Sequence, residues 1–170
     1  MATSLHEVPT ARAQWFQLSE LWASLAITAM WVAVLVTAGL QLRFVGPSLA
    51  LGWFDVGLLL AVAGGFLFAW ALRENRFFTA VVRVQTERGH AVCTTGPYRI
   101  VRHPGNLGMI VGTLGLPLIF QSTWSFVPAA LSVLDLILRT HLEDAMLTRE
   151  LDGYRGYRAR TRFRLVPGVW

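Results

Sequence analysis

Apolar side chains in this chain come in long blocks, not in the alternation of a half-buried strand. Leu21 to Leu42 is apolar apart from Ser24, Thr28, Thr37 and Gln41. At about 1.5 Å of rise per residue, a helix over it is long enough to cross a bilayer. Arg43 ends the block, and Gly46-Pro47 makes a turn. Leu51 to Leu72 is a second span, with Asp55 near its start and Gly64-Gly65 inside, where small side chains let helices approach closely. A polar connection runs from Arg73 to Arg102, and within it Phe77 to Val84 has the pattern of an amphipathic helix on a membrane surface. Asn106 to Phe120 is a short third apolar block carrying Gly108, Gly112, Gly115 and Pro117. Gln121 to Thr123 turns, and Trp124 to Leu138 runs back, with Pro128 expected to kink this arm. Residues 1–20 set Trp15, Phe16 and Leu18 beside Arg12, Gln14 and Gln17, an interfacial pattern.

The expected fold is therefore an all-α integral membrane protein of about four transmembrane helices in one domain. Its parts are an interfacial segment (1–20), two transmembrane helices (21–72), a cytoplasmic loop (73–105), a transmembrane hairpin (106–142) and a C-terminal cap (143–170).

Composition sharpens this picture. Hydrophobic residues make up 54% of the 170, charged residues 15%, and mean hydropathy is +0.49. All 15 basic residues are arginine, and the net charge is +5. In a membrane protein such charge points to topology and anionic lipid headgroups, not to nucleic acid. With four spans, 14 arginines fall on the side of both termini and the long loop, and only Arg43 on the other. The positive-inside rule then places both termini and the loop in the cytoplasm, across a membrane read as a bacterial inner membrane. The polar start followed by a long apolar run is unlike a cleaved signal, so the first span is expected to stay. Cys93 is the single cysteine, so no intrachain disulfide forms. No internal repeat and no obligate protein partner is evident.

Two polar clusters share the cytoplasmic side. Thr94 to Gly108, TTGPYRIVRHPGNLG, reads as a shaped loop because Gly96-Pro97 and His103-Pro104-Gly105 break the chain. Its Tyr98, Arg99, Arg102 and His103 suit an anionic or zwitterionic ligand, and composition alone leaves a purely topological loop equally open. Arg139 to Asp144, RTHLED, closes the last span. Arg139 and Glu143 lie four apart on one helix face, with Asp135 a turn deeper. The row reads either as the edge of a cavity or as a salt-bridge ladder. His90, Cys93, His103 and His141 fit no common zinc spacing, and no metal is expected. Tyr154 and Tyr157 read either as packing for a tail helix or as an interfacial aromatic belt.

The run HAVCTTGPYRIVRHPGNLG, then RTHLED, YRGY and a terminal LVP, resembles the isoprenylcysteine carboxyl methyltransferase family. Phospholipid methyltransferases share this C-terminal pattern. The likeness covers roughly residues 75–167. It implies an S-adenosylmethionine-dependent membrane methyltransferase, without a soluble dinucleotide fold, that releases S-adenosylhomocysteine and methylates a lipid-like or prenylated acceptor. By that resemblance, His90, Ala91, Val92 and Cys93 line the cofactor pocket with Tyr98, and His103, Pro104, Gly105 and Asn106 form its HPxY segment. Glu143 holds the cofactor, Arg139 faces the acceptor, and Gln85 stands nearest to a pocket glutamine. Arg102 or His103 is suited to the cofactor carboxylate. Asn106 stands where the family usually has tyrosine, and Asp144 where a second glutamate is common. A carboxylate acceptor needs no base; an amine would need one from Glu143, Asp144 or His141. The alternatives are a phospholipid amine N-methyltransferase, an NADPH-dependent sterol or enone reductase, and a non-enzymatic scaffold.

Overall fold

The computed structural model describes residues 11–79 and 89–170; for residues 11–21, 23 and 24 it describes the backbone alone. Among the described residues there are five α-helices, one short 3-10 turn and no strand. The helices are α1 (Ala11–Phe44), α2 (Gly52–Glu74), α3 (Pro104–Ile119), α4 (Phe126–Glu150) and α5 (Tyr154–Arg160), with the 3-10 turn at Gly96–Arg99. Leu25–Phe44 of α1 and the whole of α2 are long and apolar enough to cross a membrane. Their large side chains, among them Val32, Leu35, Leu59 and Phe66, are exposed. A soluble protein would bury such runs, so this surface suits lipid.

Local sequence explains most boundaries, and some differ from expectation. α1 is one helix from Ala11, so the expected interfacial segment merges into it from residue 11. The expected loop of residues 94–108 becomes helical at Pro104: proline at a first helical position lacks only a donor that would be unbonded anyway, and its fixed φ suits the helix. Pro97 does the same for the 3-10 turn. Pro128 lies in the first turn of α4, where it removes no helical hydrogen bond, so it does not kink the arm. α4 passes Leu138 and runs through RTHLED to Glu150. Phe77 to Thr79 are not helical, and the rest of the expected amphipathic helix, 80–84, lies outside the described residues.

α2 packs against α3 and α1 against α4. The first pair meets through glycine. A Cβ on Gly64 would lie 2.4 Å from the Gly112 nitrogen and 2.5 Å from the Gly108 oxygen, and one on Gly57 would lie 2.7 Å from the Gly115 oxygen. Backbone thus rests on backbone along an antiparallel seam, the small-residue packing expected where apolar side chains gain nothing by leaving lipid. Gly64→Ala is expected to cost about 1–3 kcal/mol by forcing the helices apart. Gly65, where an added methyl group would meet nothing within 4 Å, is the control: Gly65→Ala should change stability little. Equal melting losses for the two variants would refute the seam.

At one end of the bundle, Ser122 Oγ and the Trp124 backbone N–H both donate to Gln41 Oε1 (2.7 and 2.9 Å), tying the α3–α4 turn to α1. At the other end the chain after α5 returns. Arg102 N–H donates to the Phe163 carbonyl (2.9 Å) and His103 N–H to that of Arg164 (3.0 Å). Leu165 packs with Ile27, Ile110 and Leu136 from α1, α3 and α4. This second end holds the candidate site.

Candidate active site

Asp144 organises the site although its carboxyl touches no solvent (0% exposed). Arg102 donates to both its oxygens, from Nε to Oδ1 at 2.7 Å and from the terminal nitrogen to Oδ2 at 3.2 Å. Arg164 Nε donates to Oδ2 at 3.0 Å and the Tyr154 hydroxyl to Oδ1 at 2.9 Å. Burial alone would raise the carboxyl's pKa, but His103, Arg102 and Tyr154 outweigh it and hold it well below the usual range. Arg102 also donates to the carbonyls of Thr161 (2.9 Å) and Arg162. α3, α4, α5 and the returning tail thus converge on one carboxylate.

His103 sits between this anchor and Glu143. Its Nδ1 lies 3.6 Å from Glu143 Oε2, and its Nε2 lies 3.4 Å from Asp144 Oδ1 and 3.4 Å from the Tyr154 hydroxyl. Burial favours the neutral ring, yet the flanking carboxylates win and raise its pKa above the ordinary 6.5. With a carboxylate at each nitrogen, the imidazolium is the form that fits. Glu143 is affected reciprocally: burial pushes it up, and His103, Arg139 and the Asn106 amide bring it below its ordinary value. Asn106 Nδ2 lies 3.0 Å from Thr140 Oγ1 and 3.3 Å from Glu143 Oε2.

The sign of the resulting pH dependence follows. A raised histidine pKa contributes stability that is complete below 6.5 and is lost as pH rises through the folded value. The melting temperature without ligand should therefore fall from pH 6.5 upward, and His103→Gln should flatten that slope. A flat wild-type profile would contradict the ion-paired imidazolium.

Glu143, His103 and Asn106 face a cavity of about 430 Å³, within the range of small-molecule sites. Of the residues singled out from sequence, the cavity wall holds His90, Val92, Cys93, Tyr98, Arg102, His103, Gly105, Asn106, Arg139 and Glu143. Ala91 is exposed and Pro104 is buried at the head of α3; neither lines the wall. Gln85 lies outside the described residues. His141 is exposed, 3.3 Å from Arg164, and off the wall, so it is not placed to act as a base. Asp144 is sealed behind His103 and Arg102 and is likewise off the wall. Arg102 reaches the wall, but four of its N–H groups are already committed, which leaves it poorly suited to a ligand carboxylate.

Several wall residues carry no signal in the sequence: Phe68 and Leu72 on α2, Asn75, Phe77, Phe78, and Met109 on α3. Phe77 stacks on His90 (centroids 4.5 Å apart, planes at 28°), and Arg76 lies 4.7 Å over Phe77. Phe78 packs on Gly105, where a Cβ would lie 2.6 Å from its ring. Tyr154 and Tyr157 are buried and line the floor, and the Tyr157 hydroxyl donates to the Tyr98 carbonyl at 2.7 Å. They pack the tail helix under the pocket and are no interfacial belt. Burial raises the pKa of Tyr98, Tyr154 and Tyr157, which keeps all three phenols protonated as donors.

A sequence profile of the phospholipid methyltransferase family matches residues 53–152, more than half of the chain. The chain belongs to that family. The matched stretch of the phospholipid methyltransferase profile runs from α2 to just past α4 and contains the cavity wall apart from α1 and α5. Among curated proteins, the chain is 36% identical over 72 residues to "Probable protein-S-isoprenylcysteine O-methyltransferase" of Oryza sativa subsp. indica, covering 41% of this chain and 38% of that protein. It is 28% identical over 90 residues to "Protein-S-isoprenylcysteine O-methyltransferase A" of Arabidopsis thaliana, covering 51% and 46%. The chain thus spans less than half the length of these curated relatives in the matched region.

Proposed function

We propose that this chain is an S-adenosylmethionine-dependent membrane methyltransferase acting on a lipid-like acceptor, most like isoprenylcysteine carboxyl O-methylation. The observation that carries this is one cavity shared by the His90–Cys93 segment, the head of α3 and the Arg139–Glu143 face of α4. The donor set fits the cofactor: Glu143 offers a carboxylate for its cationic groups. Tyr98, Phe77, Phe78 and His90 offer flat surfaces for its base, and the amino end of α3 at Gly105 and Asn106 suits its carboxylate. When bound, the cofactor supplies an activated methyl group. The chain itself has to hold the acceptor in line and exclude water, and needs no protein nucleophile. Arg139, on the wall one turn from Glu143, orients an anionic acceptor, which is already ionised and requires no base.

In this reading α1 to α4 all cross the bilayer, with both termini and the site on the cytoplasmic side. α3, about 24 Å long at 16 residues, spans as half of a hairpin. The apolar wall of Ile27 from α1 with Phe68 and Leu72 from α2 admits the acceptor's tail laterally from the membrane. The profile's own name favours a second reading, N-methylation of a phospholipid amine, with Glu143 as base.

Calorimetry on the detergent-solubilised protein should detect S-adenosylhomocysteine binding; tight NADPH binding in its absence would replace the methyltransferase reading by the reductase. Labelled cofactor with a prenylcysteine and with phosphatidylethanolamine separates the two acceptors. Reporter fusions at residues 1 and 170 should agree on the cytoplasmic side; opposite sides would mean an odd number of spans.

A further inference from the structure

A second cleft, of about 560 Å³, shares only Arg102 with the lining of the cavity. Arg158, Arg162 and Arg164 line it together with Phe163, Val169 and Trp170. Its charge is unbalanced. Asp144 already takes up Arg102 and Arg164, whereas the exposed guanidinium groups of Arg158 and Arg162 form no ion pair or hydrogen bond among the described residues. Two arginines lining one cleft without a carboxylate suit a phosphate, whose oxygens accept their N–H groups.

The fold fixes where that phosphate would stand. Leu165 is buried against Ile27, and Trp170 packs on the same cluster. Ile27 lies in the second turn of the apolar block that starts at Leu21. The tail is thus held level with the edge of the hydrocarbon layer. Val166 and Val169 are exposed there, Val169 at 79%, beside a tryptophan whose ring carries Arg164 at 4.8 Å. Aromatic, aliphatic and arginine side chains at one depth form the pattern of a membrane interface. A soluble phosphate would gain nothing from the exposed valines, whereas a lipid would set its headgroup on the arginines and its chains along Val169.

We infer that this cleft binds the phosphate headgroup of an anionic membrane lipid through Arg158 and Arg162. The site is separate from the methyl-transfer cavity and does not depend on the methyltransferase reading. Its binding would brace the tail that supplies Arg164 to Asp144.

The test is native mass spectrometry of the whole chain in detergent, titrated with phosphatidylglycerol or phosphatidylcholine. The wild type should retain phosphatidylglycerol preferentially. Arg158→Gln/Arg162→Gln should weaken that retention about thirtyfold, about fivefold per arginine. Arg149→Gln/Arg155→Gln removes the same charge elsewhere and should weaken it far less. An unchanged melting temperature would show that the double variant is folded; if it is not, the single variants carry the same comparison at about fivefold each. Equal retention of the two lipids, or equal loss in the two double variants, would overturn the site. Competition by millimolar inorganic phosphate as effective as by lipid would overturn the lipid assignment.

Discussion

Asp144→Asn should cost about 3–5 kcal/mol, the usual penalty for breaking a buried ion pair by removing one partner. That corresponds to a drop in melting temperature on the order of 10 °C. The carboxylate is fully buried and receives Arg102, Arg164 and Tyr154 at once. Asparagine keeps the shape but removes the charge and turns an amide donor toward groups that are donors themselves. Arg102, only 5% exposed, would be left as an uncompensated cation. A melting curve for Asp144→Asn that overlays the wild type would show that the carboxylate does not hold the cap.

The second large effect separates Glu143 from Arg139. Glu143→Gln keeps volume and loses charge, so S-adenosylhomocysteine affinity should fall by about 1.5–3 kcal/mol, roughly 10- to 100-fold. Arg139→Leu should leave that affinity nearly intact and reduce turnover by about a hundredfold or more, since a misplaced acceptor is costly. The two side chains are one helical turn apart, about 5.4 Å, on the wall of the same cavity. Both measurements are made at matched folded fraction. If Arg139→Leu loses cofactor affinity as severely as Glu143→Gln, the two residues form one structural pair and the division of roles fails.

What can be read from the sequence follows from how each residue signals. Apolar blocks announce helices by length, and α1 and α2 end within two residues of where their blocks end, although α1 begins ten residues before its block. The polar residues of the 90–106 segment and the face of Arg139 and Glu143 stand out against apolar surroundings. Phe68, Leu72, Phe77, Phe78 and Met109 do not, because an apolar residue in an apolar segment looks alike whether it meets lipid, protein or a ligand. Asp144 is hidden differently. Beside Glu143 it reads as a second acid of the same cluster, yet neighbouring helix positions point about 100° apart, and that rotation sends it into the protein and Glu143 into the cavity. The prolines at 97, 104 and 128 read as breakers, although each stands at a helix start, where proline is favoured.

The backbone bonds from Arg102 and His103 to Phe163 and Arg164 have a consequence for synthesis. Helices α1 to α4 are complete by residue 150, yet Asp144 lacks one of its arginines, and the head of α3 its backbone partners, until residues 161–165 have left the ribosome. A chain stalled after α4 would sit in the membrane with the carboxylate only partly compensated and the pocket floor missing Tyr154 and Tyr157. The pocket is therefore complete only once residues 154–165 have been made and have docked against the head of α3.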